Sequence, residues 1–175
     1  MKELTNLNPN TLQDDARVVF SYAERSGKFD YEYFYFLIID NDYAIWAYRT
    51  FRPERTIQGE QEPETWLGGT LLEFPKQALP WFIKSIEEKF FKTEAEGGLK
   101  KGEFTYSEIF NDEKMVVKRM FGLPGYALSN FARQSYAYTT LKSPQCAEFT
   151  DQMLFDNGLF DQLKQLGEKI ARGQL

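Results

Sequence analysis

Hydrophobic and polar positions change their period along this chain, and the changes mark its elements. From Arg17 to Ala23 (RVVFSYA) the apolar residues read as a strand, ended by Ser26-Gly27. Tyr31 to Ile39 is nearly all aromatic and apolar, as expected of a strand buried on much of both faces. Asp40-Asn41-Asp42 has turn chemistry, and Tyr43 to Arg52 makes a third strand. Pro53 to Glu64 is acidic and Pro-bounded, which predicts a long loop, and Trp66 to Phe74 is a fourth strand. The period then becomes helical. Leu79, Phe82, Ile83, Ile86 and Phe90 share one face, and Lys84, Glu87, Glu88 and Lys89 point away. Pro75 and Pro80 suit the start of that helix, and Thr93 to Gly98 is a linker.

The second half runs in the same order. Strands are predicted at Glu103–Phe110, Met115–Phe121, Tyr126–Arg133 and Ala147–Phe155. Turns fall at Asn111-Asp112-Glu113 and at Gly122-Leu-Pro-Gly125. Asp156 is the expected N-cap of a last helix with the stripe Leu159, Leu163, Leu166 and Ile170. A single shift of 80 residues aligns both kinds of element. Leu79 falls on Leu159, Ile83 on Leu163, Ile86 on Leu166 and Phe90 on Ile170, while Trp46 falls on Tyr126, Ala47 on Ala127 and Phe51 on Phe131. Internal repetition decides architecture. The expected fold is therefore α+β: two tandem ββββα repeats forming an intramolecular pseudo-dimer of curved antiparallel sheets with two packed helices. Residues 1–15 are a polar lead, either mobile or docked on the surface. Residues 16–98 form the first repeat with its linker and residues 99–175 the second, in one globular unit.

Composition narrows the function. Cys146 is the only cysteine and there is no histidine, so the chain has no internal disulfide, no Cys–His nucleophilic pair and no imidazole base or ligand. No run is long and apolar enough to span a membrane and no signal peptide is evident, which points to a cytoplasmic protein. Gly122-Leu-Pro-Gly125 lacks the Lys-Ser/Thr of a phosphate loop, and Gly68-Gly69 reads as a bulge or close strand approach. Asp40, Asp42 and Glu54 are carboxylates of a kind that bind Mg²⁺, but the first two sit where a turn is needed. No enzyme activity, cofactor or metal is expected.

Aromatic residues make up 17% of the chain, and on a surface they offer flat faces for stacking. The net charge is −5, yet residues 99–143 carry a net +3 while the helices and the long loop are acidic. Strand-borne cations are thus available to follow a phosphate backbone. The strand-into-helix joint GGTLLEFPKQALPWFIKSIEEKF and the repeat length resemble the Whirly, Pur-alpha and positive-cofactor-four group over residues 16–172. That resemblance implies single-stranded DNA or RNA binding on curved sheets through aromatic and basic side chains, although the acidic total charge departs from it. The candidate contacts are Tyr33, Tyr35, Trp46, Tyr48, Arg49, Arg52 and Arg55 in the first repeat. In the second they are Lys118, Arg119, Arg133, Tyr136, Tyr138 and Lys142. Such a protein would act by occupancy in replication, recombination or transcription. The alternative is an acidic protein-interaction module, an inhibitor or assembly factor, on the same fold, with its aromatic face meeting a protein partner. Homo-oligomers are compatible with either reading.

Overall fold

The computed structural model describes residues 7–26, 31–57, 59–135 and 143–175. The fold is α+β with antiparallel sheets. Packing divides the chain into two compact units, one extending to Leu71 and the other covering Leu72–Leu175. The boundary falls inside a strand, so it differs from the 98/99 join at which the order of elements restarts.

In the first unit, β1 (Val18–Ser26), β2 (Tyr31–Asp40) and β3 (Tyr43–Arg52) form a meander, and β6 (Thr65–Pro75) completes the sheet in the order β1-β2-β3-β6. The stretch read as a loop folds back on itself as a small hairpin of β4 (Arg55–Ile57) and β5 (Glu60–Glu62). Gly59, at φ 87°, lies at its tip and supplies the left-handed backbone a tight reversal needs. The polar lead is docked where it is described. A short helical turn at Pro9–Asp14 lays Leu12 against Phe36, Ile38, Ile45 and Ala47, leaving it 2% exposed. Burying a leucine side chain contributes roughly 2 kcal/mol, enough to hold such a turn in place.

The second unit holds the other sheet, ordered β10-β9-β8-β7, and both helices. Its strands are β7 (Thr105–Phe110), β8 (Glu113–Met120), β9 (Gly125–Gln134) and β10 (Pro144–Thr150). Asn111 and Asp112 both have left-handed φ, 49° and 63°, as a two-residue hairpin turn between β7 and β8 requires. α1 (Ala78–Ser85) is prolonged by a wider turn at Ile86–Phe90, and α2 (Leu159–Ala171) closes the chain. Most of the predicted stripe positions are buried: Leu79, Phe82, Ile83 and Ile86 on the first helix, and Leu159, Leu163, Leu166 and Ile170 on the second, while Phe90 is half-buried. The helices approach closely where Gly167 faces Pro80. A Cβ there would lie 3.1 Å from the proline Cα.

Several boundaries differ from expectation: Pro75 ends β6, Glu113 opens β8, and β10 begins at Pro144. The last strand ends at Thr150, and Gln152–Asp156 coils into a wide helical turn. Asp156 therefore belongs to that turn. The N-cap of α2 is Gly158, at φ 73°, a conformation that costs glycine nothing and aspartate more.

Candidate functional site

Strand register sorts the first sheet into two faces. Tyr35 pairs with Tyr22 on one side and Tyr48 on the other, and Leu37 pairs with Phe20 and Trp46. Directly opposed residues share a face. Phe20, Tyr22, Tyr33, Tyr35, Trp46, Tyr48 and Arg52 therefore lie together, as alternation along β3 predicts. Their rings form a ladder: Tyr33 stacks on Tyr35 at 6.5 Å, and Tyr35 on Trp46 at 5.8 Å. Trp46 is only 2% exposed, so its faces are spent on packing and it cannot take a base. Burial pushes the Tyr35 phenol well above its ordinary range, with the neighbouring Glu24 carboxylate adding to the shift. The same burial raises Glu24. Tyr33, Tyr35 and Tyr48 are half-buried.

At the end of this face Arg52 and Arg55 lie over the Tyr31 ring, 5.0 and 5.5 Å from its centre. Arg55 also donates to the Tyr31 hydroxyl and pairs with Glu62 at 2.7 Å across the small hairpin. Its charge is already answered by a carboxylate.

Arg49 belongs to the opposite face. Its guanidinium sits 4.2 Å from the centre of the Trp66 ring and donates to Gln13 Oε1 at 2.6 Å. Phe51 and Phe34 approach the same indole at 4.9 and 6.0 Å. Gln13, Phe34, Phe36, Arg49 and Trp66 line a cleft of about 160 Å³. Trp66 remains 42% exposed, so this platform of one cation and three rings is open to a flat ligand. Sequence reasoning passed over Trp66 as a site residue because β6 follows β3 at a distance along the chain and only the sheet brings them side by side.

In the second sheet the face with Met115, Val117, Tyr126, Leu128 and Phe149 packs on the helices. Phe82 meets Phe149 at 5.3 Å, and Phe90 meets Tyr126 at 5.3 Å. Lys118 points the other way and is exposed, as a phosphate contact requires. Arg119 does not. Its guanidinium lies 4.7 Å over the Tyr126 ring and makes a two-pronged pair with Asp151, at 2.6 and 2.7 Å. That pair raises the Arg119 pKa further and removes the side chain from the ligand set.

Arg133 is also displaced from its expected role. Pro144 pairs with Gln134 but the next residue, Gln145, pairs with Asn130, so residues 131–133 bulge out of the ladder. Asn130 Oδ1 accepts from the Ala132 N–H at 3.0 Å and holds the bulge. A bulge resets alternation. Arg133 turns to the same side as Asn130 and is 6% exposed between two carboxylates, Glu73 at 3.1 Å and Glu113 at 2.8 Å. Asn130 and Gln145 complete the cluster with bonds to Glu113 and Glu73. It is a structural network. Tyr136, Tyr138 and Lys142 lie outside the described residues.

The outward face of the second sheet carries its own cation–aromatic pair. Lys114 stands opposite Phe131, its ammonium 6.0 Å from the ring centre, and Phe131 is 57% exposed. The 80-residue shift that places Phe51 on Phe131 is the sequence signal that finds this position. Among the described residues, no group of three His, Cys, Asp or Glu side chains could hold a metal ion. Asp40 is instead engaged by Arg17 at 3.3 Å. Among the described residues, no helix is long and apolar enough to cross a membrane. Compared with protein-family models, curated proteins and solved structures, the chain has no significant match.

Proposed function

We propose that the chain binds single-stranded nucleic acid, DNA or RNA, on the sheet faces that carry Arg49–Trp66–Phe51 and Lys114–Phe131. The observation that carries this reading is the exposed Trp66 ring with a guanidinium on one side and an aromatic neighbour beside it. Bases stack on such rings without sequence preference, at roughly 1–3 kcal/mol each. The exposed Lys114–Phe131 pair supports it, since Phe51 and Phe131 correspond under the internal shift. Element order supports the tandem repeat: each meander of four strands is followed by a helix, with the hairpin β4–β5 inserted in the first copy. The protein would act by occupancy, protecting or presenting single strands in replication, recombination or transcription.

Because Arg55, Arg119 and Arg133 are held by carboxylates and Arg52 lies on the other face of its sheet, phosphate contact falls to Arg49 on the first sheet and to Lys114 and Lys118 on the second. One or two such contacts per face to a single strand give a log–log salt slope of about −0.7 to −1.4. Affinity would then fall roughly three- to sevenfold between 50 and 200 mM salt. The test is fluorescence anisotropy of a labelled oligo-dT, the matching RNA and a duplex. Saturable binding to a single strand with that slope, weakened by Trp66→Ala and Arg49→Ala, supports the reading, and absence of binding at low salt overturns it.

A second reading, a protein-interaction module, rests on a separate patch. Phe91 and Phe155 are 56% and 40% exposed and pack on each other at 5.8 Å beside Phe160. Exposed paired aromatics are a recurrent feature of protein interfaces. Binding through that patch would be nearly insensitive to salt.

A further inference from the structure

Sheet edges are usually blunted, and two of the described edges are. β10 begins with Pro144 and is irregular at its Pro144/Gln145 step, while β1 has a register shift near Val18 and carries Glu24 and Arg25. β7, the other edge of the second sheet, has neither a proline nor a register shift, and its one charged residue is Glu108. Its sequence is TYSEIF, with no proline, no lysine and an unbroken register against β8. Ile109, near its end, is 67% exposed, and Phe104, just before it, is 49% exposed. A regular, unpaired edge of this kind is a template for another strand.

The direction of the free backbone groups follows from one bond. The Arg119 N–H donates to the Phe104 carbonyl at 2.9 Å, so Phe104 and Arg119 form a hydrogen-bonded pair. Bonding alternates along an antiparallel ladder. Tyr106, Glu108 and Phe110 therefore turn their backbone groups towards β8, and Thr105, Ser107 and Ile109 turn theirs to the open edge.

Beside this edge runs a groove in two parts. One, of about 560 Å³, is lined by Lys89, Leu99, Phe104 and Tyr106 among others; the second, of about 220 Å³, is lined by Trp81, Ser85, Lys89, Tyr106 and Glu108 among others. The Trp81 indole N–H and the Ser85 hydroxyl are both buried there without a hydrogen-bond partner. Ser85 is 3% exposed. An indole N–H can only donate, so this wall calls for an acceptor.

We propose that a second copy of this chain adds to β7, antiparallel, about a two-fold axis through Ser107. Only a register that sets outward residues against outward residues can make hydrogen bonds. Centring it on Ser107 uses all of them: Thr105 faces Ile109 of the partner subunit, and Ser107 faces Ser107 of the partner subunit. On the helix side, Glu108 of the partner subunit comes opposite Tyr106. The Lys89 ammonium already stands 5.5 Å from the centre of that ring. The incoming carboxylate thus brings an acceptor to the wall with the unpartnered Trp81 and Ser85 donors. Phe104 comes opposite Phe110 of the partner subunit, which covers apolar surface left open in one copy. The proposal rests on the geometry of this edge and is independent of nucleic-acid binding.

Sedimentation equilibrium of the full chain tests it. The wild type is expected to show a reversible monomer–dimer equilibrium. Thr105→Lys with Ile109→Lys sets like charges opposite each other across the axis and weakens the dimer roughly ten- to a hundredfold. Thr105→Glu with Ile109→Lys sets opposite charges in the same places and restores it. Both positions are exposed, and circular dichroism checks that each variant is folded. A wild type that stays monomeric to its solubility limit overturns the proposal, as does a dimer that the double-lysine variant leaves unchanged. A Glu/Lys variant no tighter than the double-lysine one overturns the register.

Discussion

Replacing Arg133 by methionine removes a buried cation paired with two carboxylates that are held out of water. The guanidinium donates to Glu113 from Nε at 2.9 Å and from Nη2 at 2.8 Å, and to Glu73 from Nη1 at 3.1 Å. The three side chains are 3–9% exposed. Methionine fills much of the volume, so the loss is electrostatic: two buried carboxylates lose the same cationic partner. Breaking a buried ion pair from one side costs about 3–5 kcal/mol. For a chain of this length that corresponds to a fall in Tm of roughly 6–20 °C. Urea and thermal unfolding followed by circular dichroism measure it. Adding Glu113→Gln to Arg133→Met takes one abandoned charge away and should recover part of the loss. Nucleic-acid affinity at a temperature where the variant is folded should be unchanged. An Arg133→Met protein within about 1 kcal/mol of wild type would show that water reaches the cluster and that the buried-charge reasoning is wrong.

Two further outcomes follow from single environments. Arg119→Ala should cost only about 1 kcal/mol, since both partners of the Arg119–Asp151 pair are about a third exposed, and it should leave oligonucleotide affinity intact. A loss of affinity comparable to that of Arg49→Ala would return Arg119 to the ligand set. Burial raises the Cys146 thiol above its ordinary pKa, against a smaller opposing effect of the Ser129 hydroxyl. The folded state therefore holds its proton longer than the unfolded state does. Stability should fall as pH rises through the ordinary thiol range, and alkylation of the native protein near pH 8 should be slower than that of the urea-unfolded chain. Equal alkylation rates would contradict this.

Much of the fold can be read from periodicity alone because most strands are regular. Alternation along Tyr43–Arg52 separates Trp46, Tyr48 and Arg52 from Arg49 and Phe51 as the sheet does. The stripes of both helices are legible for the same reason, since one face of each is buried. What escapes is set by contacts distant in sequence. The bulge at residues 131–133 reverses the side on which Arg133 lies, and no local signal marks it. Trp46 and Trp66 look alike in the sequence, yet one is enclosed and the other open, a difference only neighbouring strands decide. Arg55 and Arg119 look like free cations until Glu62 and Asp151 are brought beside them.

The most direct measurement is a quenching titration of a variant with Trp46→Phe and Trp81→Phe, which leaves Trp66 as the sole tryptophan reporter. Oligo-dT, its RNA counterpart and a duplex of equal length are added in turn at low and at physiological salt. Saturable quenching of Trp66 by single strands is expected, weakened by salt and much poorer with duplex. An unchanged Trp66 signal while anisotropy reports bound oligonucleotide would place the ligand elsewhere and contradict the proposed platform. No binding by either probe would contradict the nucleic-acid reading as a whole.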